Sequence, residues 1–252
     1  MVDLYYDTIL PMSRISLLGV PVDSHSRNEA QMRLQSMLET SKQHHVMTVN
    51  NEMLVESTKN GLFRDVLRRS DLNLPDSTGV LFAAKITGQY LSMRMPGVDT
   101  VEELLINLGP EHPVFFLGAE EGIAMRAAAA MQVANPRLKI AGCFAGSPSD
   151  AGIVERIHSA KPHVLLVAFG APKQDLWIAK HLKDMPSVRI AMGVGGTFDF
   201  FAGKITRAPT FLRSIGLEWL WRLLQEPRRL GRIINALIVF PFLVCRYGKK
   251  EP

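Results

Sequence analysis

The chain has 252 residues, 47% of them hydrophobic and 21% charged, with a net charge of +5 at neutral pH. That is ordinary for a globular protein and long enough for one large α/β domain with an appendage. Cys143 and Cys245 are far apart with no metal-ligand spacing around them, which excludes a disulfide framework and suits a reducing cytosol.

Residues 1–12 give no clear pattern, and they lack the basic region and apolar run of a signal peptide. Residues 14–22 read as a strand pair around Gly19-Val20-Pro21. Ser26-Arg27-Asn28-Glu29 matches a capping box and opens a helix to about Lys42. A buried strand over 44–49 ends in Thr48-Val49-Asn50-Asn51. Helical segments over 52–59 and 62–69 follow, then a short strand from Asp71 that Pro75 ends. A helix over 77–87 comes next, with Ser77 or Thr78 placed to cap it. Residues 88–98 form a loop holding Arg94, and Asp99 starts another helix.

From Pro113 onward strands and helices alternate regularly. Strands are expected over 114–117, 138–143, 164–169 and 188–192. The helices between them span 120–133, 149–159 (capped by Ser149) and about 172–183. The alternation predicts an α/β fold, a Rossmann-like, mostly parallel sheet with helices on both faces. In such sheets ligands bind outside the carboxyl ends of the strands.

Several strand ends carry polar residues. Asp76 follows the Asp71 strand, where a carboxylate can take a proton from an attacking hydroxyl; it can equally be only a helix cap. Thr48 and Asn50 can offer uncharged hydrogen bonds to a sugar or base. Gly170-Ala171-Pro172-Lys173-Gln174-Asp175 sets Gln174 in the first turn of a helix. Gly193-x-Gly195-Gly196-x-x-Asp199 follows a strand as a phosphate-binding turn does, or is a plain tight turn. Phe198 stands where a dinucleotide fingerprint has its third glycine, and there is no Walker A sequence. Asp-x-Asp is also missing, and no His, Cys and carboxylate residues group at metal-ligand spacing, so neither metal nor cofactor is expected. If the protein is an enzyme that displaces a diphosphate, Arg94 and helix N-termini must stabilise the leaving charge.

The charge is uneven. Residues 204–252 hold ten Lys or Arg against three Glu, a net of +7, which leaves −2 for residues 1–203. The tail pairs Trp219, Trp221, Arg222, Arg228, Arg229 and Arg232 with a largely apolar run over 233–245. That run is shorter than the ~20 residues of a spanning helix. It suits a helix lying in an anionic bilayer interface, or one packed on the core or on another subunit. The chain therefore divides into an α/β catalytic domain, 1–203, and a basic C-terminal appendage, 204–252. A chain ending at about Ala202 is expected to stay soluble. The interleaved apolar run argues against nucleic acid as the partner.

Taken together, Thr48-Val49-Asn50, Pro75-Asp76-x-x-Gly79, Gly170-x-Pro172-Lys173-Gln174-Asp175, Gly193-Val194-Gly195-Gly196-Thr197-Phe198-Asp199 and Arg207-Ala208-Pro209 with Gly216-Leu217-Glu218-Trp219-Leu220 resemble the bacterial WecG/TagA/CpsF glycosyltransferase family, over about residues 14–232. The resemblance implies inverting transfer of a sugar from a UDP donor, with UDP-N-acetylmannosamine as the best match. UDP-glucose and UDP-N-acetylmannosaminuronate are the alternative donors. It implies an undecaprenyl-diphosphate-linked sugar as acceptor and a peripheral place on the inner face of the cytoplasmic membrane. By the same resemblance Asp76 matches the base, Thr48 and Asn50 an active-site polar pair, Arg94 a basic residue near the diphosphate and Gln174 a substrate contact. Gly195, Gly196 and Asp199 match the nucleotide-side loop. A nucleotide-binding membrane scaffold without catalysis is the rival reading, and a homo-oligomer is left open.

Overall fold

The computed structural model describes residues 13–214, 216–227 and 230–252; Arg228 and Arg229 lie outside them. The chain opens with an antiparallel hairpin, β1 (Ser13–Leu17) and β2 (Val20–Ser24), turned through Leu18 at φ 51° and Gly19 at φ 75°. Two successive positive φ values match the twist of paired strands, which is why so short a connection suffices. Then come α1 (Arg27–Glu39), β3 (His44–Val49), α2 (Asn51–Lys59), α3 (Gly61–Arg69), β4 (Leu72–Pro75), α4 (Thr78–Ile86) and α5 (Gly97–Asn107). The second half holds β5 (Val114–Gly118), α6 (Ile123–Ala134), β6 (Ile140–Phe144), α7 (Ile153–Ala160), β7 (Val164–Ala168), α8 (Lys173–His181) and β8 (Ile190–Gly193). After them stand the short α9 (Thr197–Phe201) and α10 (Thr210–Ser214), then α11 (Glu218–Gln225) and α12 (Leu230–Tyr247).

β3 to β8 form one six-stranded sheet in the order β4-β3-β8-β7-β5-β6, every pair parallel. Side chains alternate between its faces. Val114 and Phe116 join the core under α1, α5 and α6, whereas Phe115 and Leu117 join the one under α7 and α8. Met47 and Val49 face a third cluster with α2, α3 and α4. Apolar runs buried on both faces are what a parallel sheet requires.

Several local expectations give way to tertiary contacts. Ser26 makes its capping box, but α1 stops at Glu39. Ser149 does not cap α7, which starts after Gly152, a glycine at φ 79°. Ser77 occupies the cap position of α4 without capping it; its hydroxyl donates to Asn51 Oδ1 at 2.6 Å instead.

The larger difference lies at the C-terminus. α12 is one continuous 18-residue helix, long and apolar enough by composition to cross a membrane, with 17% of it buried. A π-helical stretch, Asn235–Val239, absorbs the interruptions. Pro241 has no N–H to donate, and it follows a stretch where the ordinary i→i−4 register is already broken. Phe240 and Val244 sink into the core of α2, α3 and α4. Beyond the helix, Leu18 and Gly19 donate to the carbonyls of Gly248 and Lys249, and Glu251 pairs with Arg64 and Arg68.

Candidate active site

All six parallel strands end at one edge, and a cleft of about 750 Å³ opens there. Thr48 and Asn50 follow or end β3, Asp76 follows β4, Ala119 β5, Gly146 β6, Gly170 β7 and Gly195 β8. The volume is in the range of small-molecule sites.

Asp76 is half-buried between two helix starts. Its backbone N–H donates to Val49 O, and its carboxylate Oδ1 accepts the N–H of Gly97, the first residue of α5, at 2.9 Å. The glycine lets the two chains approach closely: a Cβ on Gly97 would stand 2.8 Å from Thr48 Oγ1 and push that side chain aside. Asn50 caps α2, its Oδ1 accepting the Met53 N–H at 3.0 Å, which leaves its amide NH₂ to meet Asp76. Burial dominates the carboxyl and pushes its pKa from 3.8 up to about 6, against the pull of the Gly97 N–H and Arg94. A carboxylate so placed is ionised at neutral pH yet basic enough to accept a proton.

Beside Asp76 a wall is built by the C-terminal segment. Arg207 pairs with Asp99 at 2.7 Å and with Glu218 at 3.0 Å, and Glu218 also meets Arg94 at 3.5 Å. Arg207 and Arg222 both lie over the Phe200 ring, at 5.5 and 4.8 Å. Buried Nη2 atoms of both arginines have no hydrogen-bond partner. Arg222 comes so close to the glycine turn that a Cβ on Gly196 would stand 2.2 Å from its Nη2. Two desolvated guanidinium edges in one cleft, that of Arg222 against the glycine turn, make a site for an anion, and planar phosphate recognition favours arginine.

The glycine turn itself is partly occupied. Gln174 Oε1 accepts both the Gly170 and the Gly195 N–H at 3.0 Å, tying the ends of β7 and β8 together. The Gly195 N–H therefore serves the fold, and positive charge at the turn comes from Arg222. Asp199 lines the cleft near Lys204, at 3.6 Å. Arg94 sits behind the lining and acts on the cleft through Asp76 and Glu218. Trp219 and Arg232 line the cleft, and Arg232 pairs with Glu52. Trp221 donates its indole N–H to Thr206 O at 3.0 Å.

Sequence reasoning did not single out Asn51. Its amide accepts from Ser77 and donates to Ala236 O at 3.0 Å, so one side chain joins the Asp76 turn to the π-helical stretch of α12. The doubled Asn50-Asn51 at a strand end was the available signal. Arg207 and Glu218 stood inside a quoted motif without a role. Among the described residues no three His, Cys, Asp or Glu side chains gather as a metal site.

The profile of the Glycosyl transferase WecG/TagA/CpsF family matches residues 15–252. A Bacillus spizizenii protein named N-acetylglucosaminyldiphosphoundecaprenol N-acetyl-beta-D-mannosaminyltransferase is 32% identical over 200 residues, covering 79% of this chain and 77% of its own. A Staphylococcus aureus (strain MRSA252) protein of the same name is 28% identical over 242 residues, covering 94% of each chain.

Proposed function

Because the chain belongs to the WecG/TagA/CpsF family of glycosyl transferases, we propose that it moves N-acetylmannosamine from a UDP donor to a sugar carried on undecaprenyl diphosphate. The acceptor and the transferred sugar follow the names of its relatives. Asp76 carries the reading: a half-buried carboxyl with its pKa near 6, in the cleft that Arg207 and Arg222 also line. In the step proposed, Asp76 takes the proton of the acceptor hydroxyl while that oxygen bonds to the anomeric carbon. The bond from that carbon to the diphosphate breaks, and UDP leaves with the electron pair. Attack opposite the leaving group inverts the anomeric centre. Arg222 and Arg207 meet the charge that grows on the diphosphate, which is where fixed positive groups accelerate such a step.

The acceptor is anchored in lipid, so the enzyme works at the cytoplasmic membrane face. α12 lies along the body, with Phe240 and Val244 docked and Asn51 and Glu52 holding its first half. That attachment favours a helix lying in the interface over one spanning the bilayer.

The test is a panel of UDP-sugars with a short-chain lipid-diphosphate N-acetylglucosamine acceptor, followed by UDP release and the anomeric configuration of the product. UDP-N-acetylmannosamine should give the fastest release and an inverted product. Preference for another UDP-sugar would replace the donor, and no release with any of them would refute the reading. A non-catalytic scaffold would keep all function in Asp76→Asn.

A further inference from the structure

The apolar surface does not stop at the C-terminal segment. α4 belongs to the α/β body and turns Val80, Ala83 and Ala84 into the core that also receives Phe240 and Val244 of α12. α12 packs on α2 rather than along the length of α4, and comes near α4 at its two ends. At one end Asn51 links Ser77 to Ala236, and at the other a Cβ on Gly248 would stand 3.7 Å from Thr87. Both helices bury one face in that core, and each leaves an apolar face outward. On α4 that face holds Phe82 and Ile86, one turn apart, with Tyr90 just beyond; they are 62%, 46% and 76% exposed. On α12 it holds Ile238 and Phe242, 66% and 62% exposed. Large apolar side chains so placed mark an interaction surface rather than scattered exposure.

Charge selects the occupant. Lys85 of α4 and Arg246, Lys249 and Lys250 around the end of α12 rim the face, all exposed. The nearby Glu251 is drawn off by Arg64 and Arg68. An apolar centre with a basic rim fits an anionic leaflet. We propose that the Phe82–Ile86–Tyr90 stripe is the second half of the membrane-docking face, entering the headgroup boundary beside α12. This rests on the interfacial reading of α12. It places a rigid helix of the body, whose first turn follows Asp76, directly on the lipid. The height of Asp76 above the leaflet is then set by the body as well as by the tail.

The test uses the full chain and vesicles of phosphatidylethanolamine and phosphatidylglycerol. Phe82→Ser/Ile86→Ser should lower vesicle partitioning about tenfold or more, given the apolar area removed from each side chain. Its UDP release with a water-soluble short-chain acceptor should stay at the wild-type rate. Phe82→Trp should show indole fluorescence quenched by brominated lipid. If the wild type binds and the double variant binds equally, with no quenching in Phe82→Trp, the stripe is not a lipid face and the α12 reading stands alone. If the wild type ignores the vesicles, both readings fall. If the double variant changes only the sedimenting mass, the face is an interface between copies and the proposal is overturned.

Discussion

Asp76→Asn should remove most turnover and at the same time make the protein harder to unfold at neutral pH. The Asp76 carboxyl titrates at about 6 in the folded protein, against an ordinary value of 3.8. The folded state therefore holds that proton more tightly than the unfolded chain. The stabilisation from the bound proton is complete below the ordinary value and is lost as pH rises through 6. At about 1.4 kcal/mol per tenfold change in proton affinity, the ionised carboxylate costs the folded state about 3 kcal/mol at neutral pH. Asparagine keeps an oxygen for the Gly97 N–H and carries no charge. The variant should gain about 3 kcal/mol at about pH 7.5 and about 1 kcal/mol at about pH 4.5. Urea unfolding followed by tryptophan fluorescence, at both pH values and with equal slopes, measures it. Turnover should fall by roughly two to four orders of magnitude, the scale of general-base loss. A variant no more stable than wild type at neutral pH, or equally gained at both, would refute the desolvated-base argument.

Two glycines around the end of β8 should respond differently to alanine. At Gly193 a Cβ would stand 2.4 Å from Asp175 Oδ1 and 2.5 Å from Gln174 Nε2, both on buried residues, so Gly193→Ala should cost about 1–3 kcal/mol in denaturant unfolding. At Gly196 the obstacle is the far end of Arg222, so Gly196→Ala should unfold like wild type while UDP release slows. Asn51→Ala breaks the Ser77–Ala236 link and should cost about 1–3 kcal/mol, with limited proteolysis cutting first around α12. Arg222→Ala should lower kcat more than it raises KM, and excess EDTA should leave the wild-type rate unchanged, because the charge on the leaving diphosphate is met by guanidinium groups.

Local pattern carried much of the architecture. The strand over 44–49 is found with the same bounds, because an apolar run between a basic loop and a helix cap has few alternatives. The gathering of Thr48, Asn50, Asp76, Gln174 and Asp199 around one cleft follows from their shared place after parallel strands. What stayed hidden depends on contacts between distant segments. Nothing local puts β8 between β3 and β7, or bends the C-terminal segment back so that Arg222 reaches Gly196. Ser77 reads as a cap until Asn51 takes its hydroxyl. The tail is basic in composition, yet Arg222 and Arg232 turn toward the cleft, and Phe240 and Val244 are core residues. A chain ending at about Ala202 would thus bare the packing surface of α2 and α4 as well as lose the basic wall.

The hydrogen bonds from Leu18 and Gly19 to Gly248 and Lys249 join segments far apart in the sequence. Every strand of the six-stranded sheet lies between them, so this contact fastens the β1–β2 hairpin to the end of α12 as a clasp around the whole domain.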